Sequence, residues 1–163
     1  MLMQILSNTP KWVFALFIFL LILGVRQMRD RTMPRRRLVI MQLIFLALSL
    51  SGIISAFGWN LEPLLIWAVA YVLMVIFIKQ SIPIKDASYD PATGRFKVPG
   101  SIFPLVLILV IFCLKYFVGV GTAMQAPFTQ DPLFPVIISA LYGVSSGIFA
   151  GRSLRIMKAA NQT

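Results

Sequence analysis

Histidine is absent from this chain, cysteine occurs once, and acidic residues are few. The 163 residues contain no His, one Cys and five Asp or Glu, against 15 Lys or Arg. Without histidine, the chain lacks the commonest metal ligand and the commonest general acid or base near neutral pH. A single cysteine, Cys113, excludes an internal disulfide and a dithiol redox centre. We therefore expect no metal site and no cofactor.

Apolar residues are in excess instead. They make up 59% of the chain, charged residues make up only 12%, and the mean hydropathy is +0.88. A soluble globular domain has about 45–50% apolar and about 25% charged residues. This composition excludes a soluble domain and a disordered chain. It predicts one integral membrane domain over residues 1–163.

Five apolar segments predict transmembrane helices, because a helix needs about 20 mainly apolar residues to cross about 30 Å of hydrocarbon. They cover residues 10–28, 38–57, 61–78, 101–124 and 133–157. A cleaved signal peptide is the alternative for the first segment. Its strong positive charge follows the apolar core instead of preceding it, which favours a retained span. The predicted fold is an all-α bundle of five transmembrane helices.

The basic residues predict the orientation of the chain. Thirteen of the 15 lie after the first span, between the third and fourth spans, and in the C-terminal tail. Loops rich in Lys and Arg stay in the cytoplasm. The N-terminus is therefore expected in the periplasm and the C-terminus in the cytoplasm. Because these charges gather at helix ends, we do not expect nucleic acid as a partner.

The longest connection, residues 79–100, predicts a small cytoplasmic β-hairpin between the third and fourth helices. Its strands are expected over residues 84–89 and 95–98. Between them, Asp90 opens a turn and Gly94 takes its left-handed position. Such a hairpin serves either as a structured linker or as a docking edge or lid.

Several segments resemble a known family. They are the arginine-rich turn after the first span, the hairpin with its Tyr-Asp-Pro and Gly residues, Phe96–Ser101 and Lys115–Val120. Together they look like a family of small bacterial inner-membrane proteins of unknown function, and the similarity covers most of the chain. The resemblance implies a bacterial inner-membrane location. It implies no activity, substrate or catalytic residue.

Lys115 is the one charged residue well inside a predicted span. It lies about 21 Å along the fourth helix from Ser101, at 1.5 Å per residue, in the outer half of the bilayer. A charge there costs at least a few kcal/mol and marks a functional candidate. Either the side chain reaches the outer interface or pairs with Glu62 or Asp131, or it faces a polar cavity and binds an anion or exchanges a proton.

Small residues recur at intervals of four on two predicted helices. They are Ser139, Gly143, Gly147 and Gly151 on the fifth helix, and Ala47, Ser51 and Ser55 on the second. Small residues at this spacing let two helix backbones approach closely. We expect both stripes to pack against other helices of the bundle. A homodimer seam and a narrow polar path lined by serines are the alternatives.

Arginines gather at the predicted cytoplasmic ends of the helices. Those expected to contact anionic lipid or another anion are Arg26, Arg29, Arg35, Arg36, Arg37, Arg152 and Arg155. Anionic headgroups attract each such residue by about 1 kcal/mol, so orientation and anchoring explain the cluster without a further role. The functional alternative is a site for a phosphorylated lipid or a soluble anion.

No catalytic constellation is visible in the sequence. It has no phosphate-binding loop, no nucleophile elbow and no carboxylate pair placed for acid–base chemistry. We therefore expect a non-enzymatic membrane protein that binds or moves a small solute. The alternative is a structural or accessory subunit that packs against a partner, or against itself, through the small-residue face of the fifth helix. The expected partners are bilayers with anionic headgroups.

Overall fold

Residues 11–26, 28–81 and 88–158 are described by the computed structural model, in which they form five α-helices, three strands and one short 3₁₀ turn. The helices are α1 (Lys11–Arg26), α2 (Arg35–Phe57), α3 (Leu61–Ser81), α4 (Phe103–Ala123) and α5 (Leu133–Lys158). The mostly helical fold is thus as expected. The helices run in the order that the apolar segments predict.

Four of these helices, α2 to α5, are long and apolar enough to cross a membrane. The first helix, α1, has 16 residues and is about 24 Å long at 1.5 Å per residue. It is shorter than the predicted span, residues 10–28, of which Pro10 and Gln27 lie outside the described residues. A bundle of five spans therefore stays a proposal.

Proline and aspartate mark the starts of two helices. Pro63 lies in the first turn of α3, and Pro135 lies in the first turn of α5. Proline is tolerated there because the first turn leaves its N–H groups without helical partners. The Asp131 carboxylate accepts a hydrogen bond from the backbone N–H of Leu133 at 2.8 Å. We call this end of the bundle, with connections 58–60 and 124–132, the loop end.

The central helix is α5. It packs against α3, α2 and α4, while α1 packs against α4. Glycines bring α5 and α3 together: a Cβ added at Gly143 would lie 2.5 Å from the carbonyl oxygen of Trp67, and one at Gly147 would lie 2.7 Å from that of Tyr71. The α3 backbone therefore occupies the space that larger side chains would need.

Aromatic side chains fill the contact between α2 and α5. The ring of Tyr142 lies against Gly52, where an added Cβ would come within 2.7 Å of the tyrosine Cζ. Phe45 and Phe149 stack with their ring centroids 4.0 Å apart. Tyr142 and Ile53 have no exposed surface. Gly52 thus creates the space that the largest buried side chain of α5 needs.

A three-stranded antiparallel sheet lies at the opposite end of the bundle, which we call the sheet end. Its strands are β1 (Arg31–Pro34), β2 (Ser88–Asp90) and β3 (Arg95–Val98), in the order β1-β3-β2. The predicted hairpin corresponds to β2 and β3, and residues 84–87 of its first strand lie outside the described residues. Strand β1 is absent from the sequence prediction, because four residues that end in proline show no alternation of apolar and polar side chains.

The turn between β2 and β3 has the predicted chemistry. The Asp90 carboxylate accepts hydrogen bonds from the backbone N–H of Ala92 at 3.1 Å and from the Thr93 hydroxyl at 2.8 Å. Gly94 has a φ of +63°, which glycine adopts without strain. The bond from Thr93 and those from backbone amides hold the pKa of Asp90 below its ordinary value.

The inner face of the sheet is apolar and packs on the helix ends. Met33, Phe96 and Val98 are buried together with Leu38 of α2 and Ile156 of α5. An isolated hairpin is marginal in water, and this contact supplies the apolar burial that a small sheet requires. On the outer face, the side chains of Arg95 and Lys97 are exposed.

Candidate functional site

A small cavity lies at the sheet end, where α2, α4, α5 and the segment between β3 and α4 meet. Its volume is about 40 Å³, and most of its wall is aliphatic or aromatic. That volume holds a few waters or a small polyatomic group, since about 10–15 Å³ accommodates one water. The polar residues on the wall are Ser101, Arg152 and Ser153.

Arg152 is the charged residue of this cavity. Its guanidinium carbon lies 4.5 Å from the centroid of the Phe103 ring, and its Nη2 donates a hydrogen bond to Ser101 Oγ at 3.2 Å. Among the residues that the structure describes, no carboxylate forms an ion pair with it. A guanidinium has five N–H donors. Most of its donors therefore have no protein acceptor in the described part of the chain.

Two serines add hydroxyl groups to the same wall. Ser101 Oγ accepts hydrogen bonds from Arg152 and, at 3.3 Å, from the backbone N–H of Phe103. Ser153 is 4% exposed, and within the described residues its hydroxyl has no hydrogen-bond partner. Both hydroxyl hydrogens are thus available to an acceptor inside the cavity.

Asp30 lies beside the segment between β3 and α4, but its carboxylate has a partner other than Arg152. Its carboxylate accepts a hydrogen bond from the backbone N–H of Gly100 at 2.7 Å. A Cβ at Gly100 would collide with the carbonyl oxygen of Met28, so the two connections are in close contact. Asp30 therefore fixes the β3–α4 segment to the α1–β1 segment instead of neutralising Arg152.

The chemistry available at this cavity is that of binding. Its polar groups are one guanidinium and two hydroxyls, and all of them donate hydrogen bonds. In residues 11–26, 28–81 and 88–158, no group of three or more His, Cys, Asp or Glu is placed to hold a metal ion. The arrangement suits an anion with several acceptor oxygens.

Exposed basic residues lie in the sheet and in the helix ends and segment next to β1. In the sheet, Arg95 and Lys97 alternate with the buried Phe96 and Val98, so both basic side chains lie on the outer face. Seven exposed basic residues form what we call the basic platform. They are Arg26, Arg29, Arg35, Arg36, Arg37, Arg95 and Lys97.

Arg155, another predicted anion contact, already has a hydrogen-bond acceptor within the protein. Its Nε and Nη2 donate hydrogen bonds to the carbonyl oxygen of Lys79, at 2.9 and 2.7 Å. Lys79 lies in the last turn of α3, where backbone carbonyls lack helical partners and a positive charge is favourable. Arg155 therefore joins α5 to the end of α3.

Lys115 lies on the exposed surface of α4. Its ammonium donates a hydrogen bond to Ser51 Oγ on α2 at 3.4 Å, and in the described part of the chain it forms no ion pair with Glu62 or Asp131. Glu62 lines an open cleft of about 360 Å³ at the loop end. Lys115 lines neither that cleft nor the cavity around Arg152.

The small residues of α5 face inward. Ser139 has no exposed surface, and Gly143 and Gly147 lie against the α3 backbone. At Gly151, an added Cβ would lie 2.7 Å from the Cβ of Ile78. The glycine face is thus covered by α3 of the same chain.

The small residues of α2 are placed differently from the prediction. Ala47, Ser51 and Ser55 are exposed, and the face of α2 that meets α5 contains Ser49 and Gly52 instead. In a membrane protein, the lipid face and the buried face of a helix are both apolar, so spacing alone does not distinguish them. The packing prediction for this stripe was wrong for that reason.

A buried group of hydroxyls connects three helices; its serines belong to the polar path weighed from the sequence, whereas their hydrogen bond with Trp67 was not predicted. The Trp67 indole N–H donates to Ser49 Oγ at 2.8 Å. Ser49 Oγ lies 3.1 Å from the carbonyl oxygen of Tyr142 and 3.3 Å from Ser146 Oγ. Within the described residues, Ser139 Oγ and the Tyr142 hydroxyl are buried without partners. The signal available in sequence was the indole N–H, which requires an acceptor when buried.

Comparison with known proteins gives a family and no activity. A family of unknown function (DUF6622) matches residues 1–163, and the chain belongs to it. This agrees with the resemblance drawn from the sequence motifs. No curated protein and no solved structure matches the chain.

Proposed function

We propose that this member of the family is a non-enzymatic integral membrane protein that binds anionic groups at its sheet end. The observation that carries the proposal is the basic platform, which lies in and next to a sheet fixed to the helix ends by Met33 and Phe96. Four apolar helices of membrane length support a location in the bilayer. Phosphate-bearing lipid headgroups, or small anions of the same chemistry, are the expected ligands.

The distribution of charge supports an orientation as well. β1 pairs with β3, so the connection before α2 and the connection before α4 lie on the same side of the bundle. Those connections, the helix turns next to them and the end of α5 contain 13 of the 15 basic residues. By the positive-inside rule, the sheet end faces the cytoplasm. With α1 as a fifth span, the N-terminus lies in the periplasm of a bacterial inner membrane.

Lipid binding by the purified protein tests the function. The full chain in a neutral detergent is titrated with phosphatidylglycerol and with phosphatidylcholine, and bound lipids are counted by native mass spectrometry. We expect stronger binding of the anionic lipid, with a preference that falls as salt rises from 50 to about 500 mM. Equal binding of the two lipids at low salt would contradict the proposal.

Reporters that work in one compartment test the orientation. A reporter active only in the cytoplasm is fused in turn to each end of the chain. We expect activity at the C-terminus and none at the N-terminus. Activity at both ends would show that an even number of helices crosses the membrane and would remove α1 from the spans.

Movement of a small anion past α4 is a second candidate function. It is favoured by the contact between Lys115 and Ser51, which links a cation inside an apolar helix to a neighbouring helix. Phosphate flux into proteoliposomes tests it. We expect Lys115→Met to abolish the flux and Lys115→Arg to retain it. Equal flux through the wild type and Lys115→Met would reject this function.

The alternative role as an accessory subunit receives less support. It requires a free small-residue face on α5, and α3 covers Gly143, Gly147 and Gly151. Crosslinking in native membranes tests it, since a single labelled species of monomer mass would argue against a partner.

A further inference from the structure

We infer that the cavity around Arg152 is a specific site for a phosphate group, either on a lipid headgroup or free in solution. This inference rests on the proposed anion-binding function and assigns it to one location. The cavity lies beneath the sheet, apart from the exposed basic platform. An anion inside the cavity can therefore be recognised by hydrogen bonds from the lining residues, whereas the platform attracts anions by exposed charge.

The first argument is the state of Arg152. A partly buried cation is costly unless an anion or several acceptors compensate it. In the described residues, Arg152 has one hydroxyl acceptor, Ser101, and one aromatic ring, Phe103. Arg155, one helical turn away, has two hydrogen bonds to a helix-end carbonyl. The difference indicates that Arg155 has a structural partner, whereas Arg152 is left to bind a ligand.

The second argument is the hydroxyl of Ser153, which belongs to a residue on the cavity wall. A serine in a helix commonly donates to a carbonyl of its own helix, as Ser145 does to Leu141 at 2.8 Å. Ser153 makes no such bond within the described residues, although it is 4% exposed and lines the cavity. The Ser153 hydroxyl can therefore donate a hydrogen bond to an acceptor in the cavity.

The third argument is the chemical match. Arg152 supplies several donors, each of the Ser101 and Ser153 hydroxyls can supply one more, and the start of α4 beside Ser101 adds the positive end of a helix dipole. A phosphate has several acceptor oxygens, and the guanidinium fork binds two of them in parallel. The volume of about 40 Å³ admits a headgroup phosphate but no acyl chain. The remainder of a lipid would lie outside the cavity.

The position of Arg152 along α5 also fits a contact with lipid headgroups. Arg152 lies about 10 Å from the centre of α5 at 1.5 Å per residue, toward the sheet end. The hydrocarbon core extends about 15 Å from its midplane, and an arginine side chain reaches the interface from there. Arg152 is thus within reach of the headgroup layer at the platform side of the protein.

Matched charge deletions test the site. The full chain in neutral detergent is titrated with short-chain phosphatidic acid, and the dissociation constant is measured by native mass spectrometry. We expect Arg152→Gln to weaken binding at least tenfold, because a charge-assisted fork is lost. Lys158→Gln removes the same charge from the exposed end of α5, outside the cavity and the platform, and we expect a change below twofold. Hydrogen exchange of β3 amides verifies that each variant is folded.

Two milder variants keep the test decisive if Arg152→Gln does not fold. Arg152→Lys keeps the charge and loses the fork, so we expect weakening of a few fold. Ser153→Ala removes one donor and should weaken binding by a similar factor. Unchanged affinity in both folded variants would overturn the site.

Competition distinguishes the two sources of phosphate. Inorganic phosphate at millimolar concentration should displace the lipid if the site takes free phosphate, and should leave it bound if the headgroup is the ligand; either result supports a phosphate site. Equal weakening by Arg152→Gln and Lys158→Gln would overturn this site while the platform still binds anions. Absence of any preference of the wild type for phosphatidic acid over phosphatidylcholine would overturn the proposed function as well.

Discussion

The two ends of the bundle use charge in opposite ways. At the loop end, Asp131 accepts a hydrogen bond at the start of α5, and Glu62 lies in the first turn of α3, where the helix dipole favours an acid. At the sheet end, Arg155 completes the end of α3 in the same manner and Arg26 lies in the last turn of α1, whereas within the described residues Arg152 and the other platform residues donate to no helix-end carbonyl. Charge at the loop end is structural, whereas charge at the sheet end exceeds what the fold requires.

This difference explains why the sheet end is the better candidate for function. A basic residue that completes a helix end is not free for a ligand. The platform residues are exposed, and Arg152 lines a cavity with two available hydroxyls. The comparison predicts that substitutions at the loop end change stability alone, whereas substitutions at the sheet end separate stability from binding.

The largest effect is expected from Phe96→Ala, which removes the buried centre of the sheet. Truncation of a buried phenylalanine costs about 3–5 kcal/mol. We expect the amides of β3 to exchange with solvent much faster, and the preference for anionic lipid to fall, because the platform loses its support. Lys97→Ala, the adjacent residue on the outer face, is the control and should change local stability by less than about 0.5 kcal/mol. Similar exchange rates in both variants would contradict the assigned faces.

A smaller effect is expected from Arg155→Gln. The substitution weakens two charge-assisted hydrogen bonds to the Lys79 carbonyl, and we expect a loss of about 1.5 kcal/mol because the site is exposed. Thermal unfolding in detergent measures this loss. Arg95→Gln removes the same charge without a helix-end partner and should leave the melting temperature nearly unchanged. A larger loss in Arg95→Gln would show that the contact with Lys79 is not structural.

Asp131→Ala is expected to have a comparable but slightly smaller effect at the opposite end. Loss of a side-chain acceptor at a helix start costs about 1 kcal/mol. Thermal unfolding should register this loss, while binding of anionic lipid stays at the wild-type value. Asp131→Asn keeps an acceptor and should recover most of the stability. Altered lipid binding in Asp131→Ala would undermine the division of roles between the two ends.

The smallest effect concerns the pH dependence of the turn at the sheet end. The pKa of Asp90 is lowered, chiefly by the hydrogen bond from Thr93. The stabilisation is therefore fully present above the unfolded pKa of about 4 and is lost as the pH falls through the lower folded pKa. Hydrogen exchange of Gly94, whose N–H donates to the Asp90 carbonyl, reports the loosening below pH 4. Asp90→Asn should remove the pH dependence of this exchange.

Local features of the fold were accessible from the sequence. Four apolar helices of membrane length follow from apolar runs, and the turn follows from Asp90 and Gly94, because each depends on residues close to one another along the chain. Pro63 and Pro135 lie in first turns for the same reason. The family followed from motifs that extend over most of the chain.

The candidate site was harder to predict from the sequence, because its residues are far apart along the chain. Arg152 was predicted as an anion contact, but its cavity forms only when Ser101 and Leu38 come together with it from other elements. The failed packing stripe on α2 has the same origin, since Gly52 matters only because Tyr142 lies opposite it. Strand β1 needs β3 as a partner, and nothing in its four residues indicates that pairing.

The pairing of β1 with β3 also sets an order of events during synthesis. β1 leaves the ribosome about 60 residues before its partner, so its backbone stays without its strand partner until α2 and α3 have both been made. The two strands can therefore pair only when the chain brings β1 and β3 to the same end of the α2–α3 pair. A chain in which α2 and α3 did not return to that end would lack the sheet and the buried contact of Phe96 with Met33.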